Sequence, residues 1–228
     1  DNPPSTGGMQ EPSPVLGISN ATAITTGLSF TCALINNGTI KCWGLNDQGQ
    51  LGNGTTTSKL TPTPVSGITN AVGLSAGINY ACAQLSDGTA KCWGDNTNGQ
   101  LGDGSVNQRN SPVKVSGLTN VTAIAAGYGH TCAIINDGTA KCWGSNTSGQ
   151  LGVVADPYQA TTLEYHTPVT ATAFGNNITA LDTGDGYTCA VVNGGLKCTG
   201  GYLLESLGDG TTLSTQHQDP LVAVTPTG

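Results

Sequence analysis

Eight cysteines are the most chemically capable residues in this chain of 228. Three pairs, Cys32/Cys42, Cys82/Cys92 and Cys132/Cys142, recur with a period of 50 residues, and a fourth, Cys189/Cys198, is one residue tighter. Zinc sites are usually built from CxxC knuckles or Cys/His mixtures. The members of each pair here stand nine or ten positions apart, which points to local disulfides instead. The three histidines, His130, His166 and His217, share no metal-ligand spacing. His130 takes a position that Phe30, Tyr80 and Tyr187 hold elsewhere, so its expected role is packing. Asp95-Asn96-Thr97-Asn98-Gly99 faintly suggests a calcium loop but lacks the alternating carboxylates and the distal Glu. No nucleophile elbow, phosphate loop or HExxH helix occurs. The expectation is a protein without catalysis, metal or cofactor.

What positions the cysteines is a repeated stretch, clearest at Thr131 to Gly152 (TCAIINDGTAKCWGSNTSGQLG). Copies run from Thr31 to Gly52 and from Ala81 to Gly102, and a worn one from Thr188 to Gly208. A fixed period of this size means one supersecondary unit repeated. Each copy reads as a β-hairpin. Thr131–Ile135 and Thr139–Gly144 flank Asn136-Asp137-Gly138, and glycine accepts the left-handed conformation that ends a three-residue loop. Centred there, Cys132 falls opposite Cys142 at a distance a disulfide can bridge. In the fourth copy the loop shrinks to Asn193-Gly194, a two-residue turn, and Cys189 again faces Cys198. Before each hairpin lies a short run ending in glycine, and after it a Gly-rich loop and a proline-led strand such as Pro112-Val113-Lys114-Val115. Four strands in about 50 residues, repeated, is the signature of a propeller blade.

The pattern CALxxxGTxKCWGxNxxGQLGxG resembles the regulator-of-chromosome-condensation (RCC1-like) repeat in its secreted, cysteine-bearing bacterial form. The likeness runs from about Ala21 to Val224 and implies an all-β β-propeller of about four blades, each with a hairpin disulfide. It implies no single function, because the family hosts exchange factors, a secreted inhibitor and surface proteins. Propellers of this family usually have seven blades. The fourth unit also departs from the motif, holding Thr199 and Ser206 where the others hold Trp43, Trp93, Trp143 and Gln50, Gln100, Gln150.

Composition narrows the function classes. Only 9% of residues are charged and the net charge is −7, so the basic footprint of a nucleic-acid binder is missing. Paired cysteines belong to oxidising compartments. The chain starts at Asp1 without Met, which reads as a processed mature form, and no apolar run is long enough to span a membrane. The expected location is extracellular or at the cell surface. Lys41, Lys91, Lys141 and Lys197 share the slot before the second cysteine and are expected to lay their stems on apolar surface with the charge in solvent.

The expected organisation is a flexible arm (1–10) and a single propeller domain (11–228), with repeats at about 21–70, 71–120, 121–177 and 178–228. Residues 11–18, carrying Pro14, Val15, Leu16 and Ile18, resemble the proline-led strand of a unit and leave one strand surplus. Two uses are open: a clasp inside the chain, or pairing with an exposed edge of a neighbouring copy. The third unit has an insertion within 153–167 bearing Tyr158, Tyr165 and His166, which reads as a contact loop or as cover for a blade flank. Sequons at Asn20, Asn37, Asn53, Asn120, Asn146 and Asn177 fall at expected turns, where glycans could be carried. The functional expectation is a non-catalytic structural or adhesive module contacting protein partners, including copies of itself through head-to-tail strand exchange that builds a filament. The alternative is a secreted inhibitor of an extracellular enzyme.

Overall fold

The computed structural model describes residues 12–153, 163–201, 207 and 217–222. Within them lie four antiparallel sheets of four strands, each drawn from one repeat and ordered as in the sequence. Blade 1 holds β1 (Ala21–Thr26), β2 (Phe30–Ile35), β3 (Ile40–Gly44) and β4 (Lys59–Pro64). Blade 2 holds β5 (Ala71–Ala76), β6 (Tyr80–Leu85), β7 (Ala90–Gly94) and β8 (Arg109–Lys114). Blade 3 holds β9 (Val121–Ala126), β10 (His130–Ile135), β11 (Ala140–Ser145) and β12 (Glu164–Thr170). Blade 4 holds β13 (Ile178–Thr183), β14 (Tyr187–Val192), β15 (Gly195–Gly200) and β16 (His217–Val222).

The hairpins form for the reasons the sequence gives. Gly38, Gly88 and Gly138 take φ of 80°, 76° and 79° at the third loop position. Asn193 and Gly194, at φ 53° and 79°, make the two-residue turn of blade 4. Cys32↔Cys42, Cys82↔Cys92, Cys132↔Cys142 and Cys189↔Cys198 are then directly opposed, and all four pairs are disulfides.

The proline-led strands need correcting. β8, β12 and β16 each begin three or four residues before Pro112, Pro168 and Pro220, and β4 ends at Pro64. The prolines Pro62, Pro112, Pro168 and Pro220 fall where the register slips between the third and fourth strands. An irregular stretch of an outer edge tolerates a residue that donates no ladder hydrogen bond.

Three hydrophobic cores lie between blades rather than within them. The first joins Phe30, Leu34, Ile40 and Leu51 of blade 1 to Ala71, Leu85 and Trp93 of blade 2. The second and third repeat this arrangement between blades 2 and 3 and between blades 3 and 4. β1 and β2 pack on β5, β5 and β6 on β9, and β9 and β10 on β13. Among the described residues nothing of comparable extent joins blade 4 to blade 1. Among the described residues the four blades therefore make an arc with two open ends.

The open ends at the two limits of the arc

A seam between blades is assembled from a few positions that the repeat carries from blade to blade. Just after the first strand of each of these blades a glycine faces the next blade: a Cβ on Gly27 or Gly127 would meet the carbonyl oxygen of Gly77 or Gly184 at 2.7 and 2.5 Å, and one on Gly77 would meet that of Gly127 more closely still. No other residue fits such a column. The ring of Phe30, Tyr80, His130 or Tyr187 lies over its own blade's glycine. In the middle seam the Tyr80 hydroxyl donates to the His130 carbonyl at 2.6 Å and sits 2.9 Å from Thr131 Oγ1. Burial pushes the Tyr80 phenol well above its ordinary pKa.

His130 occupies the same place in the third seam, its Nε2 2.9 Å from Thr188 Oγ1. Thr188 spends its own proton on the Gln150 carbonyl at 2.8 Å, so the imidazole Nε2–H is the donor. Nδ1 is left as a buried acceptor with no partner among the described residues. Desolvation holds the His130 pKa down at about 4. In the first seam Phe30 faces Ala81, and neither offers a polar atom.

The Trp-Gly and Gly-Gln-Leu-Gly elements close the seams from the outer side. Trp93 Nε1 donates to the Gln50 carbonyl at 2.9 Å and Trp143 Nε1 to the Gln100 carbonyl at 2.8 Å. The Gln side chains brace their own loops, each Oε1 accepting at 2.8 Å from the N–H of Gln48, Asn98 or Ser148. Asn46, Asn96 and Asn146 add a brace that the sequence reading missed. Their Oδ1 atoms accept from Leu51, Leu101 and Leu151 N–H at 2.9, 3.0 and 3.2 Å. The signal was present: Asn recurs four residues before each Gln.

At the ends of the arc these same positions are uncovered. Trp43 and Ile35 are half-exposed, whereas Trp93, Trp143, Leu85 and Ile135 are buried. Ile24 is 68% exposed, while its equivalents Leu74 and Ile124 pack on the first and second cores. On the far side of blade 4, Leu196 is 47% exposed where Ile40, Ala90 and Ala140 are fully buried. Tyr187, Cys189 and Val191 are likewise only half-buried.

The residues singled out from sequence fall as follows. Residues 12–19 are in no strand; Pro14, Val15 and Leu16 are exposed and Ile18 is half-buried. Blade 4 has its own fourth strand, so the clasp is not seen among the described residues. Instead Gly17 accepts from Lys41 Nζ at 2.9 Å, as Gly67 does from Lys91 Nζ at 3.0 Å. The segment thus approaches blade 1 as residues 62–68 approach blade 2. These lysines, with Lys197 bound to the Phe174 carbonyl at 3.4 Å, tie turns to sheets rather than simply meeting solvent. Tyr158 lies outside the described residues. Tyr165 and His166 belong to β12, where His166 lies against Gly99 of blade 2 and Tyr165 packs on the third core. Asn20, Asn37, Asn120 and Asn177 are exposed, Asn53 is half-buried, and Asn146 is committed to its loop brace.

At one mouth of the arc the loops after β1, β5, β9 and β13 enclose a shallow cavity of about 370 Å³. It is lined mainly by small and apolar residues with one carboxylate, Asp185. Asp95, the head of the suspected calcium loop, accepts from Thr97 N–H at 3.1 Å and from Gln100 Nε2 at 3.0 Å, which makes it a turn brace. No cluster of three metal-ligating side chains occurs among the described residues.

The Regulator of chromosome condensation (RCC1) repeat model matches residues 37–84, 87–134 and 137–191, and a second model of the same repeat matches 21–50, 71–100 and 121–150. The chain belongs to this family. No curated protein matches it by sequence. Among solved structures it is similar to human WBSCR16, at 21% identity and a TM-score of 0.78, over 90% of this chain and 53% of that one. It is also similar to yeast RCC1 (Prp20) in complex with Kap60, at 20% identity and 0.78, over 93% and 51%. A third match is Prp20p from Saccharomyces cerevisiae, studied with its binding to Gsp1p and histones, at 21% and 0.77, over 93% and 52%. The chain spans about half the length of the structures it matches. The fold is an RCC1-type β-propeller arc, and four hairpin disulfides suit an oxidising environment.

Proposed function

We propose that the chain is a non-catalytic protein-interaction module of the extracellular space, structural or adhesive, that works by contact and associates with copies of itself. The observation that carries this reading is the pair of uncovered blade faces, whose positions are core wherever a neighbouring blade is present. Contiguous apolar surface of this kind marks contact sites. Family members of the same fold, such as yeast Prp20, bind protein partners, which fits the reading. The segment carrying Pro14, Val15, Leu16 and Ile18 is a second contact element, because it pairs with no sheet while its counterparts Val65 and Ile68 are buried.

The test is multi-angle light scattering and negative-stain imaging of the chain with and without residues 1–18. Assemblies that lose mass on truncation while the monomer stays folded would support the segment's role. Unchanged mass with a lowered melting temperature would assign the segment to stability instead.

A further inference from the structure

The two open faces are the two halves of one interface that the molecule already contains three times, and their polar groups match. The rule inside the chain concerns the residue over the glycine and the residue it meets on the next blade. Phe30, with no polar atom, meets Ala81; Tyr80 meets Thr131; His130 meets Thr188. Two positions remain unmatched, Tyr187 at the trailing end and Thr31 at the leading end. They pair a hydroxyl donor with a threonine, as in the middle seam. The glycine column ends the same way. The three atoms nearest a Cβ on Gly184 all belong to its own blade's Tyr187, whereas a Cβ on Gly27, Gly77 or Gly127 has the next blade's glycine carbonyl among its three nearest; the Gly27 carbonyl stands at the other end of the column to take the corresponding place. Two further apolar positions agree: Leu196 stands at the trailing face where Ile40 does in the first seam, and Ile24 at the leading face where Leu74 does.

We infer that the trailing face of blade 4 docks on the leading face of blade 1 of a second copy of this chain. In that seam the Tyr187 hydroxyl donates to the Phe30 carbonyl and meets Thr31 Oγ1. A head-to-tail contact makes a ring if its rotation closes and a filament if it does not. The arc aligns with 51–53% of the propellers it matches, so two arcs supply about one full turn. Eight blades lie within the range propellers adopt. The product is a closed dimer containing two identical seams, of twice 22.9 kDa. This inference rests on the contact reading above and names the partner.

Light scattering on the full chain and on two single variants tests it. Ile24→Lys spoils the leading face and Leu196→Lys the trailing face, and the two side chains are 68% and 47% exposed in the single copy, so the fold should survive. Each variant alone should be a folded monomer, melting where the wild-type chain does at dilutions that keep it monomeric. Mixed in equal amounts they should form a weaker 1:1 dimer, because one intact leading face meets one intact trailing face. Tyr187→Phe should raise the dimer dissociation constant about a hundredfold, because each of the two identical seams loses one buried hydrogen bond worth about tenfold.

Dimers in which only one of the two lysine variants has an effect would mean like faces meet, and would overturn the inference. So would long filaments, or dimers indifferent to both lysines but lost on removing residues 1–18. A folded monomer at every concentration would also overturn it, while leaving the interaction-module reading to be judged on other partners.

Discussion

The second and third seams solve one packing problem with different residues. In the second, Trp143 fills the gap beside Gly102, whose Cβ would meet the indole Nε1 at 2.7 Å, and its N–H caps the Gln100 carbonyl. In the third, blade 4 offers only Thr199 at that position, which donates to the Gly149 carbonyl at 3.1 Å. The volume is made up by Phe174, from the turn before β13. A Cβ on Gly152 would meet the Phe174 ring at 3.0 Å and Thr199 Cγ2 at 3.3 Å. The same pair of seams differs over the glycine column, where Tyr80 serves one and His130 the other. What is kept between blades is filled volume and satisfied carbonyls, not the identity of the residue.

The largest consequence concerns Phe174, which is fully buried. Phe174→Ala should cost about 3–5 kcal/mol by urea or thermal unfolding. Thr199→Trp in that background should recover part of the loss, whereas Thr199→Trp alone should overpack the seam at a cost of about 1–3 kcal/mol. If Thr199→Trp fails to rescue, the two seams are not equivalent solutions.

Next comes acidity. Unfolded His130 takes up a proton near its ordinary pKa of 6.5, whereas the folded ring resists until about 4. Between those values the unfolded chain holds more protons, so stability falls as pH drops from about 6.5 towards 4 and levels off below. The integrated loss is about 3 kcal/mol at one site. His130→Tyr, which copies the middle seam and keeps Thr188 as its neighbour, should flatten the melting temperature across that window. A persistent slope would place the sensitivity elsewhere.

The disulfides give the third effect. Each closes a loop of nine or ten residues and should contribute about 2–3 kcal/mol, measured on double Cys→Ala variants. Cys189 is half-exposed while Cys132 and Cys142 are buried, so mild reductant should open Cys189–Cys198 first, as thiol labelling and mass spectrometry would show. Smallest is Ser75→Ala. It removes the hydroxyl that accepts from Ala126 N–H at 3.0 Å between blades 2 and 3 and should cost about 1 kcal/mol.

Much of the blade was legible in the residues because it is local. The hairpin register follows from loop length and cysteine spacing, and the shortened Asn193-Gly194 loop kept it consistent in the worn copy. The fourth strands were placed too late, because proline was taken as a start signal when it sits at a register slip inside an outer edge. Contacts between blades were harder. Thr199 was visible as a departure, but its compensation by Phe174 involves another part of the chain and no periodic signal. The open arc was undecidable from spacing alone, since small residues on the first strands permit either closure or continuation. Residues 12–18 looked like a strand because they copy the end of one, yet they lie in no strand.

Amide hydrogen exchange on the intact chain at low and high concentration tests the role of the end faces most directly. Docking through them predicts added protection at high concentration confined to β1–β2 at the leading end and β14–β15 at the trailing end, with β5–β11 unchanged. Protection that does not depend on concentration, or that gathers on the middle blades, would contradict it.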